Sequence, residues 1–323
     1  MIKFIDYSRD YKRFQKEYDE AWKRINENGD LILRKDTEEF EERLAKYVGT
    51  KYAVALSSGT DAILLALKAL GIGKGHKVSL PSHTFKATCG AVINAGAEPI
   101  VLDMGEQSDC ENQIVVHIAG ELSPIPEVVN IIEDACQALG ALKNPTSKVQ
   151  CWSFYPAKIL GCKGDMGAIT TNDEKIYNFI KEYRNHFKND NSGFGGNHRA
   201  DNLQCALLNI KIQHIDEILA RRSEIARKYF VKLPVQAGLP QHQTGRVWQD
   251  FIINVGDKRD ELYNFLKEQG IETMKNEYPF SPEYPKPPLT AKYEAGTLRI
   301  PCYENLTDEE QDEVISKIRQ FYD

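Results

Sequence analysis

The chain reads as an α/β protein with a mainly parallel sheet, followed by a smaller α+β unit. Three observations carry this reading. Between Tyr52 and Thr171 short apolar runs alternate with segments of helical spacing, the pattern of βαβ units. Beyond Leu233 the texture changes to an isolated apolar run, VWQDFIINV, and two amphipathic segments. With 323 residues, 41% hydrophobic and 27% charged, the chain can bury a sizeable core in one large domain or two moderate ones. We place the boundary near Leu233, giving a large unit over 1–233 and a small one over 234–323.

Each element has its own signal. In TEEFEERLAKYVG, Phe40, Leu44 and Tyr47 recur at i, i+4 and i+7, which predicts an amphipathic helix that Gly49 ends. Tyr52–Leu56 reads as a strand and Asp61–Leu70 as a helix. Lys77–Leu80 is a strand stopped by Pro81, and Thr84–Ala95 is helical. Pro99–Asp103, Gln113–Ile118, Val128–Glu133, Cys151–Phe154 and Ala168–Thr171 read as further strands. NDNSGFGGNH, around Gly193, is a turn-rich loop. Helical segments follow over Asp201–Gln213 and Ile215–Leu233. In the last third, Val247–Val255 is a strand and KRDELYNFLKEQG a helix with Gly270 as its stop. Five prolines between Pro279 and Pro288 make an extended loop. Leu306–Phe321 closes the chain as a helix, with Thr307 and Glu310 spaced as a capping box.

Composition narrows the function. A net charge of −6 argues against a nucleic-acid protein, which would show a basic face. No apolar run approaches the ~18 residues of a membrane span. MIKFIDYSRDYKRF lacks the apolar stretch of a secretory signal, so a cytoplasmic protein is expected. The seven cysteines are odd in number and form no CxxC pair, so neither a disulfide framework nor a metal site is expected. Most should be small buried thiols.

Four segments could carry chemistry. In SSGTDAILLAL a strand ends, Ser57–Thr60 turns and a helix begins. Free N–H groups at that helix start, with Gly59 for close approach and the Thr60 hydroxyl, would cradle a phosphate; an ordinary helix cap is the competing reading. In VVNIIEDACQALGA a strand delivers Glu133 and Asp134 to its C-terminal end, where open α/β sheets bind ligands. An acid there can pair with a protonated ring nitrogen or simply cap the next helix. In SFYPAKILGCKGDMGAITT, Lys158 follows a strand among Pro156, Gly161, Gly164 and Gly167. A partly desolvated lysine can lose its proton and form an imine. Ser153 on the same strand could hold a phosphate oxygen. Lys163 competes with Lys158, and spacing alone does not separate them. In GFGGNHR, Asn197 sits in a Gly-rich loop and either reaches an anion or serves as a turn residue.

The order and wording of these pieces resemble the fold-type I enzymes of pyridoxal 5′-phosphate (PLP), which have an aspartate aminotransferase-like seven-stranded sheet. They are most similar to the sugar aminotransferase family often called DegT/StrS. SSGTDA, PSHTFKAT, EDACQALGA, SFYPAKILGCKGDMGAITTND, GGNHRADNLQCALL and RDELYNFLKEQGIET carry the resemblance over nearly the whole chain. The resemblance implies that Lys158 bonds PLP and shuttles a proton, and that Asp134 pairs with the ring nitrogen. It further implies that Gln137 reaches the ring hydroxyl, that Phe85 stacks on the ring, and that Gly59, Thr60 and Ser153 hold the phosphate. Asn197 would come from a neighbouring subunit, so a homodimer with shared active sites is implied. The implied reaction moves an amino group from an amino acid, usually glutamate, to a keto sugar, normally nucleotide-linked.

Two features depart from the family. The stretch MGEQSDCENQIVVHIAGELSPIPEVVNIIEDA is short by a helix or two. Glu277 stands where the family often has a His before Tyr-Pro, which bears on the sugar site. His83 and His198 are pocket candidates by position, with a structural role the competing reading.

Three rival functions remain. A keto-cyclitol or other keto substrate is compatible with the sequence. A non-catalytic regulator on the same fold would be expected to have lost Lys158 or Asp134. A dinucleotide-binding oxidoreductase would need GxGxxG between its first strand and helix, whereas GIGKGHK at Gly71 follows a helix and precedes a strand.

Overall fold

The computed structural model describes residues 1–241 and 244–323. The chain opens with two helices, α1 (Tyr7–Arg13) and α2 (Gln15–Asn28). Phe14, Tyr18, Ala21 and Ile25 form a small core there with Ala206 and Leu207. Helix α3 (Lys35–Val48) buries Phe40 and Leu44 and ends on Gly49 in the left-handed region, as the glycine signal predicts.

The large sheet follows the expected strand–helix alternation only in its first part, β1 (Tyr52–Leu56), α4 (Gly59–Ala69), β2 (Lys77–Pro81), α5 (Lys86–Asn94) and β3 (Glu98–Leu102), after which β4 (Asn112–Val116), β5 (Asn130–Asp134), β6 (Val149–Ser153) and β7 (Gly167–Thr171) follow with no α-helix between them. The seven strands run in the order β1-β7-β6-β5-β4-β2-β3. β7 is antiparallel to both its neighbours, and the pairs from β6 across to β3 are parallel. One face packs on α4, α5 and the amphipathic α6 (Glu174–Tyr183) through Val54, Leu56, Val78, Ile132 and Ile169. The other face packs Ala53, Ala55, Trp152 and Ala168 against α3 and α7 (Asn202–Lys211).

The compressed stretch has a visible consequence. β4 and β5 are parallel neighbours, joined by residues 117–129 with a single 3-10 turn over Ile118–Gly120. Parallel pairs are usually joined through a helix. Here polar side chains occupy the face beside the link. His117 Nε2 lies 2.8 Å from Glu133, the Ser147 hydroxyl donates to the same carboxylate, and Gln150 donates to Ser147 at 2.8 Å. Ser123 N–H donates to His117 Nδ1, which leaves the proton on Nε2, facing Glu133.

Helix α8 (Ile215–Lys232) leads into a second core, where its Ile225, Ala226 and Tyr229 meet β8 (Phe251–Asn254), α9 (Arg259–Glu268), β10 (Thr297–Ile300) and α11 (Asp308–Tyr322). β10 is the middle of a three-stranded antiparallel sheet between β8 and β9 (Met274–Lys275). Ile2 also bridges to Ile271, so the start of the chain crosses this unit. α10 (Pro288–Gly296) begins where the proline-rich loop ends, at a position where a missing N–H costs nothing. Asp103 accepts hydrogen bonds from its Leu289 and Thr290 N–H groups.

The strand expected over Val247–Val255 is shorter, because its first half is used elsewhere. The carbonyls of Trp248 and Gln249 accept from Arg222, and the Gln249 amide spans Ala157 O and Ile159 N. No helix among the described residues is long and apolar enough to cross a membrane. Five of the seven cysteines are buried and all are free thiols.

Candidate active site

A cavity of about 670 Å³ opens at the C-terminal ends of the parallel strands, between the large sheet and the three-stranded one. That size suits a small-molecule site. Gly59, Thr60, Phe85, Asp134, Gln137, Ser153 and Lys158 all line it. Strand alternation sorts the two neighbouring acids. Glu133 faces the far side of the sheet and is used by His117 and Ser147. Asp134 faces the cavity, 6% exposed, and accepts from the Thr88 hydroxyl at 2.8 Å and Cys136 N–H at 3.2 Å. Thr88 in turn contacts the Thr84 hydroxyl at 2.8 Å, so α5 holds the carboxylate in place.

The cradle at the start of α4 is well formed. Ser58 is the N-cap and accepts from Asp61 N–H at 3.1 Å. Ala62 N–H bonds back to Ser58 O. The N–H groups of Gly59 and Thr60 make no hydrogen bond among the described residues and carry the positive end of the helix dipole. A Cβ on Gly59 would lie 2.9 Å from the Ser153 Cβ and 3.0 Å from the Cys136 sulfur, so only glycine lets the helix start sit this close to β6. Two unused N–H donors flanked by hydroxyls fit a phosphate.

The structure separates the two lysines. Lys163 binds Asp10 at 2.6 Å, while Lys158 lies half-buried on the cavity wall with no ion pair among the described residues. Its turn is set by Lys158 N–H donating to Tyr155 O. Behind the turn, a cavity of about 260 Å³ is lined by Asp10, Lys211, Arg222 and Glu304. Lys211 binds Asp10 at 2.7 Å and Arg222 binds Glu304 at 2.9 Å. Gln137 accepts from Ala119 N–H at 2.7 Å. Phe85 is 55% exposed, an open face on which a flat ring can stack. Burial, with Asp134 beside it, pushes the Cys136 thiol well up.

Other candidates fall outside the cavity of the single chain. Asn197 is exposed and bridges to Asn185. His83 pairs with Glu294 at 2.9 Å, and His198 with Asp61 at 3.1 Å. Glu277 does line the cavity, tied to Arg259. Sequence reasoning missed Phe4, Tyr7, Thr88, Asp250, Tyr278 and Arg299, which also line it. Most come from the chain's two ends, and nothing local in the sequence signals their convergence.

Comparison with known proteins agrees with this geometry. The model of the DegT/DnrJ/EryC1/StrS aminotransferase family matches residues 12–319. A dTDP-3-amino-3,4,6-trideoxy-alpha-D-glucose transaminase of Streptomyces venezuelae is 34% identical, over 88% of this chain and 84% of that one. The crystal structure of DesV from S. venezuelae superposes with a TM-score of 0.91 at 30% identity, covering 99% of this chain and 98% of that one. NtdA of Bacillus subtilis, solved with its bound cofactor PMP, gives 0.85 at 26% identity, covering 94% and 81%. The fold and cavity define a PLP-dependent aminotransferase of fold type I. The chain belongs to the DegT/DnrJ/EryC1/StrS aminotransferase family.

Proposed function

We propose that the protein transfers an amino group from L-glutamate to the keto group of a nucleotide-linked deoxysugar, with Lys158 as its catalytic lysine. One observation carries the site assignment: an unpaired Lys158, a fixed Asp134 and the free N–H groups of Gly59 and Thr60 line a single cavity. The sugar substrate is supported by the name of the S. venezuelae relative. When bound, PLP supplies a carbonyl carbon that bonds amines and a ring that accepts their electrons.

The chain's residues have separate tasks. Gly59, Thr60 and Ser153 bind the phosphate. Asp134 keeps a proton at the ring nitrogen, and Thr88 holds that carboxylate. Phe85 covers one ring face, and Gln137 reaches the ring hydroxyl. Lys158 would anchor the cofactor, and its freed amine would take a proton from the donor's α-carbon and return it to the cofactor carbon on the other side of the transferred nitrogen. The loop before Asn197, with Phe194 99% exposed, would meet a second copy, so that Asn197 completes the partner's phosphate site in a homodimer. We place the reaction in the cytoplasm.

The test is the visible absorption of the PLP-loaded protein, before and after L-glutamate, beside a Lys158→Ala control. A band that glutamate bleaches, and that the control alters, is the expected result. Absence of the band in wild type would overturn the lysine assignment and favour a non-catalytic relative. A band that glutamate leaves untouched would overturn the donor.

A further inference from the structure

Lys158 sits in a turn that belongs to no strand or helix, so the peptide groups around it lack ladder partners. One side chain serves both of its neighbours. The Gln249 amide donates to Ala157 O at 2.8 Å and accepts from Ile159 N–H at 3.0 Å. Among the described residues neither backbone group has another partner. The two bonds bracket Lys158, one on the residue before it and one on the residue after it. A carboxamide offers a donor and an acceptor at fixed separation, and only one orientation of it satisfies both groups.

Gln249 is itself held fast. It is 6% exposed. Its own carbonyl and that of Trp248 accept from Arg222 Nη1 at 3.2 and 3.0 Å. Arg222 is buried, and its other bonds go to Cys302 O and the Glu304 carboxylate. Phe251, two residues further on, is buried at the start of β8. The large unit ties the turn only through Lys158 N–H to Tyr155 O and Cys162 N–H to Phe154 O. Neither bond holds the carbonyl before Lys158 or the N–H after it. Ile159 is 1% exposed and packs in the core of the large sheet, where an unpaired N–H would be costly.

We propose that Gln249 is the positioning residue of Lys158. By holding the peptide groups on both sides, it sets the direction in which the amine enters the cavity and ties that direction to the three-stranded sheet. This rests on the reading of Lys158 as the lysine that bonds the cofactor. The lysine nitrogen stands at the end of a four-carbon stem, so a small tilt of the backbone moves the amine further than it moves the Cα. Misplacing a reacting group by about 1 Å costs about 100-fold in rate. Gln249 also lines the cavity, but the oxygen and nitrogen of its amide are both engaged by the turn. Its part in the reaction therefore runs through Lys158.

The test compares wild type with Gln249→Met, which keeps the side-chain length and removes both bonds. Hydrogen exchange of the full chain without cofactor, read on peptides by mass spectrometry, should show Ile159 N–H exchanging about 10-fold faster, the effect of one lost hydrogen bond. In the PLP-loaded protein, the rate at which L-glutamate bleaches the visible band should fall about 10- to 100-fold, with half-saturating L-glutamate within about 2-fold of wild type. Gln249→Asn keeps the amide but is one methylene short of spanning both groups. It should lose less in both readouts, and it carries the comparison if Gln249→Met does not fold. Gln311→Met is the control. It removes a buried bond to Ile225 O from α11, and should lower Tm while leaving Ile159 exchange and the bleaching rate unchanged. Unchanged exchange or an unchanged rate in Gln249→Met overturns the proposal, as does an equal fall in Gln311→Met. A wild type without the visible band overturns the reading of Lys158 instead, and exchange at Ile159 still decides whether Gln249 holds the turn.

Discussion

Gly167→Ala tests whether close packing of a turn on the sheet builds the phosphate site. Gly167 opens β7 and pairs with Leu56 on one side and Ser153 on the other. A Cβ there would meet the Ser58 carbonyl group and lie 2.5 Å from Gly59 N. Carbon contacts are comfortable near ~3.5 Å, so the Ser58–Gly59 turn must retreat by about 1 Å. Overpacking of this kind costs about 1–3 kcal/mol, and backbone neighbours place it near the top of that range. Gly167 is not left-handed, so alanine recovers about 0.4–1 kcal/mol from the unfolded chain. The net loss is about 2 kcal/mol. A 1 Å retreat also withdraws the Gly59 and Thr60 N–H groups from a phosphate. Losing one charged hydrogen bond of about 1.5–3 kcal/mol weakens PLP binding about 10- to 150-fold. The assays are urea unfolding of the apoprotein and equilibrium titration with PLP. Gly90→Ala is the control. Gly90 lies inside α5 with nothing near its Cβ position, so alanine should stabilise by about 0.5–1 kcal/mol. If Gly167→Ala unfolds and binds PLP like wild type, the reasoning about this turn fails.

Further outcomes follow from other sites. Thr307→Ala removes the capping box of α11, where Thr307 and Glu310 exchange hydrogen bonds, and should cost about 1 kcal/mol, read as a lower Tm. Lys163→Met should keep the cofactor's visible band and cost about 1 kcal/mol through loss of its partly exposed bridge to Asp10; disappearance of the band would reinstate Lys163 as the catalytic lysine. Burial works against the charge of Asp10 and Glu304, but Lys211 and Lys163 around Asp10, and Arg222 and Lys211 around Glu304, hold both carboxyls below their ordinary values of 3.8 and 4.5. Groups depressed on folding stabilise fully above the unfolded pKa, and that contribution is lost as pH falls through the folded one. The urea midpoint should therefore drop below about pH 4.5, and a midpoint unchanged down to pH 3 would contradict these pairings. Thr88→Val should leave Asp134 without its 2.8 Å hydroxyl donor and shift the pH dependence of the cofactor's absorption; an unchanged profile would show that Thr88 does not position it.

The sequence by itself determined most of the large sheet, because those strands and helices bury local periodic patterns. The strand expected over Tyr52–Leu56 has those bounds in the structure, and Ala168–Thr171 begins one residue earlier, at Gly167. The capping box at Thr307 and the stop at Gly49 were legible for the same reason: each is a contact between residues a few positions apart. Short elements were not legible. β9 spans two residues, and β10 is a strand only because β8 and β9 flank it. Of the candidate site, the pieces next to a strand end or helix start could be read, since chain direction alone carries them to the sheet's ligand edge. Spacing alone did not distinguish Lys158 from Lys163, because the difference between them is the bond of Lys163 to Asp10, about 150 residues away in sequence. Arg299 and Tyr278 were equally silent. Arg299 reaches the cavity wall because β10 forms between β8 and β9, a pairing that nothing local in the sequence signals. Tertiary structure decided which charges are already neutralised and which stay open to a ligand, because pairing depends on distance in space rather than along the chain.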